Sequence, residues 1–453
     1  MLPVAVILLA AFMLASIGGR YTWPTLPALI GAAGLFLLSG ARVGADATTR
    51  SIDFVLIAAL ALIGLQMVPL PPEILRAVSP ATANLQDAYA LEPLGTWRPI
   101  SIHPAATRAA FGLALAAAFI FWASREAFSH GGSRAAARLL AWIGFACALV
   151  SLAQRATAPR TVLWRWTVPD PRAVPFGPFV DRNQLATWLV LTIGVVAGYL
   201  AMHVRAHMTD RLRQGAHAAI VALSDGAALA MLVCLGAMLL TLAATLSRSG
   251  FVALIVAAVV GTSLSRRDHT RGLWVGIAAA AALVAVAAWL NLQGLAQRIL
   301  STVAPPDPNA VGRLTIWRDT LRIVRAFPVL GTGAGTFADA MFVYQQTARQ
   351  VLFNHAHNEY LQLLTEGGAV MLVIVVVGLA LLTRAARACL AGDDGAHRLI
   401  RIGACAALAG ITVQNIWETG LRAPANLVLA AILAALAVRS VDRGEPSSEI
   451  TVV

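Results

Sequence analysis

Residues 353–368 read FNHAHNEYLQLLTEGG and run straight into AVMLVIVVVGLALL, a stretch without charge. His355 and His357 flank Ala356, and Asn358 and Glu359 follow. Histidine is the side chain whose ordinary pKa, about 6.5, lets it take a proton near neutral pH. That suits a general base acting on a weak nucleophile such as a sugar hydroxyl. A metal is the other chemistry an H-x-H pair could serve, but residues two apart on a helix point to different sides and no Cys or Asp cluster completes a ligand set. No metal is therefore expected. His357, Leu361 and Leu364 fall at helical spacing, which places His357 on the packed face of a helix entering a bundle. His355 reads equally as a second reactive group and as a hydrogen-bonding cap.

Arginine carries the second candidate chemistry. The stretch LLTLAATLSRSGFVALIVAAVV sets Arg248 between two apolar arms, so 226–264 reads as a helical hairpin with Ser-Arg-Ser-Gly at its tip. A charge close to hydrocarbon is costly and marks a functional candidate, with snorkelling to lipid headgroups as the plainer alternative. Arg313 follows APPDPNAVG and opens GRLTIWRDTLRIVRAF, where by itself it reads as a solvated surface charge. Two guanidinium groups at one membrane level would grip a diphosphate through their planar forks. A diphosphate so held leaves without an acid catalyst. One base and two arginines would then suffice for glycosyl transfer, in contrast to the paired carboxylates of glycosidases.

The elements that must position these groups are set by composition. The 453 residues are 58% hydrophobic and 12% charged, with a mean hydropathy of +0.74, far from the composition of soluble domains. The chain reads as an all-α polytopic membrane protein. All 34 basic residues are arginine, and against 22 acidic ones they give a net charge of +12. They are scattered over short loops, which fits membrane lipid or phosphate partners and no nucleic acid. Cys147, Cys234, Cys389 and Cys405 lie in or beside apolar stretches and read as small buried hydrophobes.

A spanning helix needs about 20 apolar residues, and about twelve segments qualify. They fall near 2–18, 25–41, 52–69, 106–123, 137–154, 184–203, 226–246, 250–264, 272–290, 366–383, 401–416 and 422–438. The N-terminal segment lacks a basic start and reads as an uncleaved first span. Segment 205–225 is too polar at its start to span and is expected along the cytoplasmic surface.

Short loops of one parity hold Arg42, Arg50, Arg125, Arg134, Arg138, Arg205, Arg211, Arg213, Arg266, Arg267, Arg271, Arg384, Arg387 and Arg398, and those of the other parity hold only Arg20, Arg248 and Arg422. The first set is cytoplasmic by the positive-inside rule, as are both termini. Three long loops, near 70–105, 155–183 and 291–365, then face outward. The expected organisation is nine spans with the first two long loops over 1–290, a large outer catalytic loop over 291–365, and three spans with a cytoplasmic tail over 366–453. The long loops are rich in Trp, Pro and Arg and are expected to rest on the outer leaflet and pack together. Within the third, Leu314, Ile316, Trp317, Leu321, Val324 and Phe327 would form the apolar face of an interfacial helix, opposite Arg318, Arg322 and Arg325. GTGAGTF (331–337) reads as a flexible turn, since no strand precedes it as a phosphate-cradling loop requires.

Four stretches together, FGPFVDRNQLATWL (176–189), TLSRSGFVAL (245–254), GRLTIWRDTL with FPVLGTGAGTF (312–337) and HAHNEYLQLLTEGG (355–368), resemble the O-antigen ligase and polymerase superfamily of bacterial envelope glycan transferases. The resemblance implies inverting, metal-independent and cofactor-free transfer of a glycan from undecaprenyl diphosphate at the periplasmic side of the inner membrane. It implies that Arg248 and Arg313 hold the donor diphosphate and that His357 acts as base, with His355 beside it. Arg182, Asn183, Arg318 and Asn358 are further candidates for substrate contact. Asp181 departs from the family's usual N-R-N, which leaves its own role open. Ligation of finished glycan onto a lipid A-core acceptor is the favoured reading. A polymerase joining repeat units onto a glycan acceptor is the close rival, and transfer to protein is a third. A transporter or flippase of about twelve spans is the reading from another class, but no internal repeat supports it.

Overall fold

The computed structural model describes residues 1–89, 95–168, 173–209, 225–265, 275–276, 313–347, 351–393, 395 and 397–439. Fifteen α-helices occur among them: α1 Leu2–Ala15, α2 Thr25–Ser39, α3 Arg50–Leu65, α4 Pro72–Val78, α5 Pro80–Tyr89, α6 Pro104–Ser129, α7 Ser133–Thr157, α8 Arg182–Thr209, α9 Gly226–Thr245, α10 Arg248–Leu264, α11 Arg313–Ala326, α12 Phe337–Tyr344, α13 Glu359–Gly392, α14 Arg398–Gln414 and α15 Pro424–Val438. One two-stranded hairpin pairs β1 Thr161–Val162 with β2 Trp166–Thr167. Eleven of the segments expected to span coincide with helices. The twelfth, 272–290, lies outside the described residues. Among the described residues, five helices, α6, α7, α8, α9 and α13, are long and apolar enough to cross a membrane.

The chain's local chemistry starts and stops these helices. Proline stands in the first turn of α1, α4, α6 and α15, where its missing N–H costs nothing. Side chains of Asp225, Ser247 and Asn358 accept from the first free N–H groups of α9, α10 and α13. Only Leu246 and Ser247 separate α9 from α10, so the hairpin read from TLSRSG is present, with Leu246 in the left-handed region at φ 52°.

α8 is the axis of the bundle. From Leu185 to Met202 its apolar residues are buried on every side, as expected of a helix without a polar face. It can be surrounded so closely because its neighbours are small. A β-carbon on Gly194 would lie 2.7 Å from that of Ala407, and Gly403 abuts the Gly194 carbonyl directly. Gly410, further along α14, brings that helix against the Ala253 carbonyl of α10. Where lipid is as apolar as leucine, such close backbone approach is what favours one helix pairing over another.

The first and third long loops pack against each other as expected, but α11 does not bury the face drawn from sequence. Ile316 and Ile323 of α11 and Phe327 just after it form a small core with Phe337, Ala340 and Met341 of α12 and with Ala356, against which Ala81, Leu85 and Ile102 of the first loop rest. The buried face of α11 therefore differs from the expected one. Leu314 and Leu321 are exposed, while Asp319 is buried. Asp319 is inside because its Oδ2 accepts from the backbone N–H groups of Gln346 and Thr347, and its Oδ1 from Arg322 at 2.6 Å. A carboxylate that closes a turn outcompetes an aliphatic side chain for that face. α8 also runs six residues beyond the expected end at 203, so the first part of 205–225 continues the helix, and 210–224 lie outside the described residues.

The glycine loop 331–335 is a turn, and a fixed one. Thr332 and Gly333 donate to the carbonyls of Thr365 and Glu366, and Ile102 donates to Thr332. Gln66 closes the seam: its amide donates to the carbonyls of Leu330 and Glu366 and accepts from Ala334 N–H. Opposite this loop α13 breaks at Gly368, with φ 64° and ψ −169°, a conformation essentially reserved for glycine. A β-carbon there would collide with the Val329 carbonyl. Gly368→Ala should therefore lower stability by at least about 3 kcal/mol, the sum of backbone strain and overlap, read as a lower midpoint of thermal unfolding in detergent than wild type.

Candidate functional site

The four motifs meet at one end of the bundle, and their contacts can be followed around it. The segment 351–358 leads into α13 without regular secondary structure, and Trp317 of α11 donates to the Ala356 carbonyl at 2.9 Å. His357 then turns the chain with φ 49°, in the left-handed region. Asn358 caps α13 through its Oδ1, which accepts from Leu361 N–H at 2.9 Å. His357 thus lies two residues before the helix, not on its packed face. The spacing argument failed because Asn358 forms a stronger helix start than a helical His357 would.

The turn is pinned to the loop between α14 and α15. Glu359 N–H donates to the Asn415 carbonyl, and Arg422 binds Glu359 at 2.8 Å and Glu366 at 2.6 Å. Gly420 in the same loop packs on Thr187 of α8, and Asn426 donates to the Gln184 carbonyl at 2.9 Å. The start of α8 is formed by Asp181, whose Oδ1 accepts from Asn183 N–H at 2.8 Å. Beside it stands the α9–α10 tip, since a β-carbon on Gly250 would lie 2.7 Å from that of Ala186.

His357 faces Glu418. The imidazole Nδ1 lies 3.5 Å from Glu418 Oε2, and the carboxylate is only 3% exposed. Nδ1 is buried without a hydrogen bond among the described residues, while about a third of the side chain, 34%, is exposed. The exposure is therefore on the Nε2 side. Glu418 Oε1 is paired with Arg313 Nη2. Arg313 keeps 44% of its side chain exposed, so its remaining donors can reach a ligand. Asp181 belongs to the same cluster: burial, then the charge of Glu418, push its carboxyl above the usual range, partly offset by Asn183 N–H and His357.

His355 occupies a different environment. Arg20, from the turn between α1 and α2, donates to its Nε2 at 3.5 Å, and the Gln362 amide lies 3.4 Å from its Nδ1. Gln362 is itself fixed by Ala356 N–H and Glu366. Burial first, then the cations Arg20 and Arg422, pull the His355 imidazole down to about 3. It is a neutral ring at neutral pH.

Arg182 and Asn183 start α8 half-buried beside Asp181. Arg248 is exposed in the first turn of α10, and Arg318 is exposed in the second turn of α11, which Arg313 opens. Glu418, Arg20, Arg422, Glu366 and Gln362 were not singled out from sequence. The signal for Arg20 and Arg422 was there, as two of the three arginines on the sparse side of the charge pattern. Glu418, in NIWETGLR (415–422), has no motif of its own and is visible only in space.

A family model described as O-antigen ligase matches residues 230–376, the stretch that carries Arg248, Arg313, Arg318, His355, His357 and Asn358. No curated protein matches the chain.

The low value of His355 has a consequence for stability. Between about 3 and 6.5 the unfolded chain holds a proton on this ring that the folded chain does not. Stability contributed by keeping it neutral is fully present above about 6.5 and is lost as pH falls toward 3. His355→Gln should flatten the fall in unfolding midpoint with acidification over that window, measured by thermal unfolding from pH 7 to pH 4.

Proposed function

With residues 230–376 matched to the O-antigen ligase family, the chain is placed in that superfamily, and from this premise we propose that it is a glycosyltransferase. It moves a glycan from undecaprenyl diphosphate to an acceptor hydroxyl at the periplasmic face of the inner membrane. The favoured acceptor is lipid A-core, which makes it an O-antigen ligase. About twelve spans, with both termini cytoplasmic, form the membrane part, and 291–365 supplies most of the catalytic loop.

The observation that carries this reading is the setting of His357. One ring nitrogen is buried toward a carboxylate, and the other side of the ring opens beside exposed arginine. In the proposed reaction the acceptor O–H gives its proton to His357 Nε2. The acceptor oxygen bonds to the anomeric carbon as the C–O bond to the diphosphate breaks. The bond electrons leave on undecaprenyl diphosphate, whose charge Arg248 and Arg313 meet, with Arg182 and Arg318 as further candidates for contact with the glycan. His355, held neutral next to Arg20, is a hydrogen-bonding group in this scheme, since a ring that protonates only near pH 3 is a weak base at neutral pH.

Transfer in detergent from an undecaprenyl-diphosphate glycan, offered lipid A-core and free repeat units in parallel with EDTA throughout, tests the reading. Wild type should form product with EDTA present, and His357→Ala should lose about 10²–10⁴ in rate, the usual worth of a general base. Capping of lipid A-core identifies a ligase, and extension of repeat units a polymerase. A His357→Ala enzyme as fast as wild type overturns the proposal.

A further inference from the structure

We propose that Glu418 is a positioning residue for His357, the carboxylate that fixes its tautomer and meets the imidazolium as it forms. This rests on the reading of His357 as base. The geometry itself is independent of that reading: a carboxylate 3% exposed lies 3.5 Å from a buried Nδ1 that has no other partner among the described residues.

A buried imidazole N–H without an acceptor is costly, and a buried carboxylate with one oxygen left over seeks a donor. Each group supplies what the other lacks. With the proton on Nδ1 aimed at Glu418 Oε2, Nε2 carries the lone pair and faces the open side. A contact of this length shortens readily when substrate closes the site. Once Nε2 has accepted the proton from the acceptor hydroxyl, the ring is a cation, and the nearby carboxylate stabilises it as such partners do in other His-based sites.

Arg313 shares the same carboxylate. It neutralises Oε1 from the first turn of α11 while leaving Oε2 to the histidine. The left-handed backbone of His357 serves the same end. At φ 49° the chain turns its ring away from α13, whose first turn belongs to Glu359 and Arg422, toward the 415–422 loop. Strain at one residue is retained where it aims a side chain. Among the described residues, the charged or titratable groups around His357 are Glu418 and Asp181 from two flanking loops and Arg313, which shares Glu418, with His355 on its own segment.

The test compares wild type, Glu418→Gln, Glu418→Asp, His357→Ala and the His357→Ala/Glu418→Gln pair in the detergent transfer assay, with thermal unfolding of each. Glu418→Gln keeps the shape and removes the charge. It should lower kcat about tenfold or more with the donor KM little changed, and move the acid limb of the kcat/KM profile to lower pH. In the double variant the second substitution should add nothing, as for groups that act as one unit. Glu418→Asp keeps the charge but draws it back by a methylene, so it should fold and still lose kcat even if the Gln variant unfolds. Wild-type kcat and pH profile in a folded Gln or Asp variant, with His357→Ala inactive, overturn the role of Glu418 and leave the transferase reading intact. Full activity of His357→Ala removes that reading itself, and this inference with it.

Discussion

The arrangement depends on one buried ionic contact, that of Arg422 with Glu359 and Glu366. α13 is apolar for most of its length, yet its first two turns carry two carboxylates that are 9% and 4% exposed. Buried charges persist only when paired and hydrogen-bonded. Arg422 supplies both partners at once, at 2.8 and 2.6 Å, and so ties the start of α13 to the loop before α15. That loop carries Glu418, and the segment entering α13 carries both histidines. The pairing that makes the carboxylates tolerable therefore also sets the distance between the ring and its carboxylate neighbour.

Rigidity comes from the other side of α13. The glycine turn 331–335 and the break at Gly368 fit together backbone to backbone, with Gln66, just past α3, bonded to Leu330, Ala334 and Glu366. α11 and α12 hang on this seam and hold Ala356 in their small core. Reactive groups on loops gain precision when the loop is fastened at several points to packed helices, and here the fastenings lie before, within and after the histidine segment. The two histidines sit only two residues apart but meet opposite neighbours, arginine for His355 and glutamate for His357.

Much of the helical framework was legible in sequence because apolar length and breaker residues are local signals. The hairpin at Arg248, the start of α11 at Arg313 and the two candidate histidines could be found from motifs alone. What could not be read were the partners. Glu418 lies 61 positions after His357, and Arg20 lies 335 before His355; no periodicity links them. The helical placement of His357 failed for a local reason, the cap at Asn358, which sequence does show as Asn before Glu. The expected apolar face of α11 failed for a tertiary one, because Asp319 gains more from closing the 345–347 turn than Leu321 gains from burial. A glycine-rich turn read as flexible proved fixed, since the same lack of side chains that frees a backbone also lets another backbone approach it.

In the proposed reaction, a single histidine base opposite a diphosphate leaving group allows one displacement at the anomeric carbon and no covalent glycosyl intermediate. The most direct measurement is the anomeric configuration of the new linkage, by NMR of the product made from a donor of known configuration. The mechanism proposed for His357 requires inversion. Retention would contradict it, because two displacements need a nucleophile on the enzyme that this arrangement does not assign.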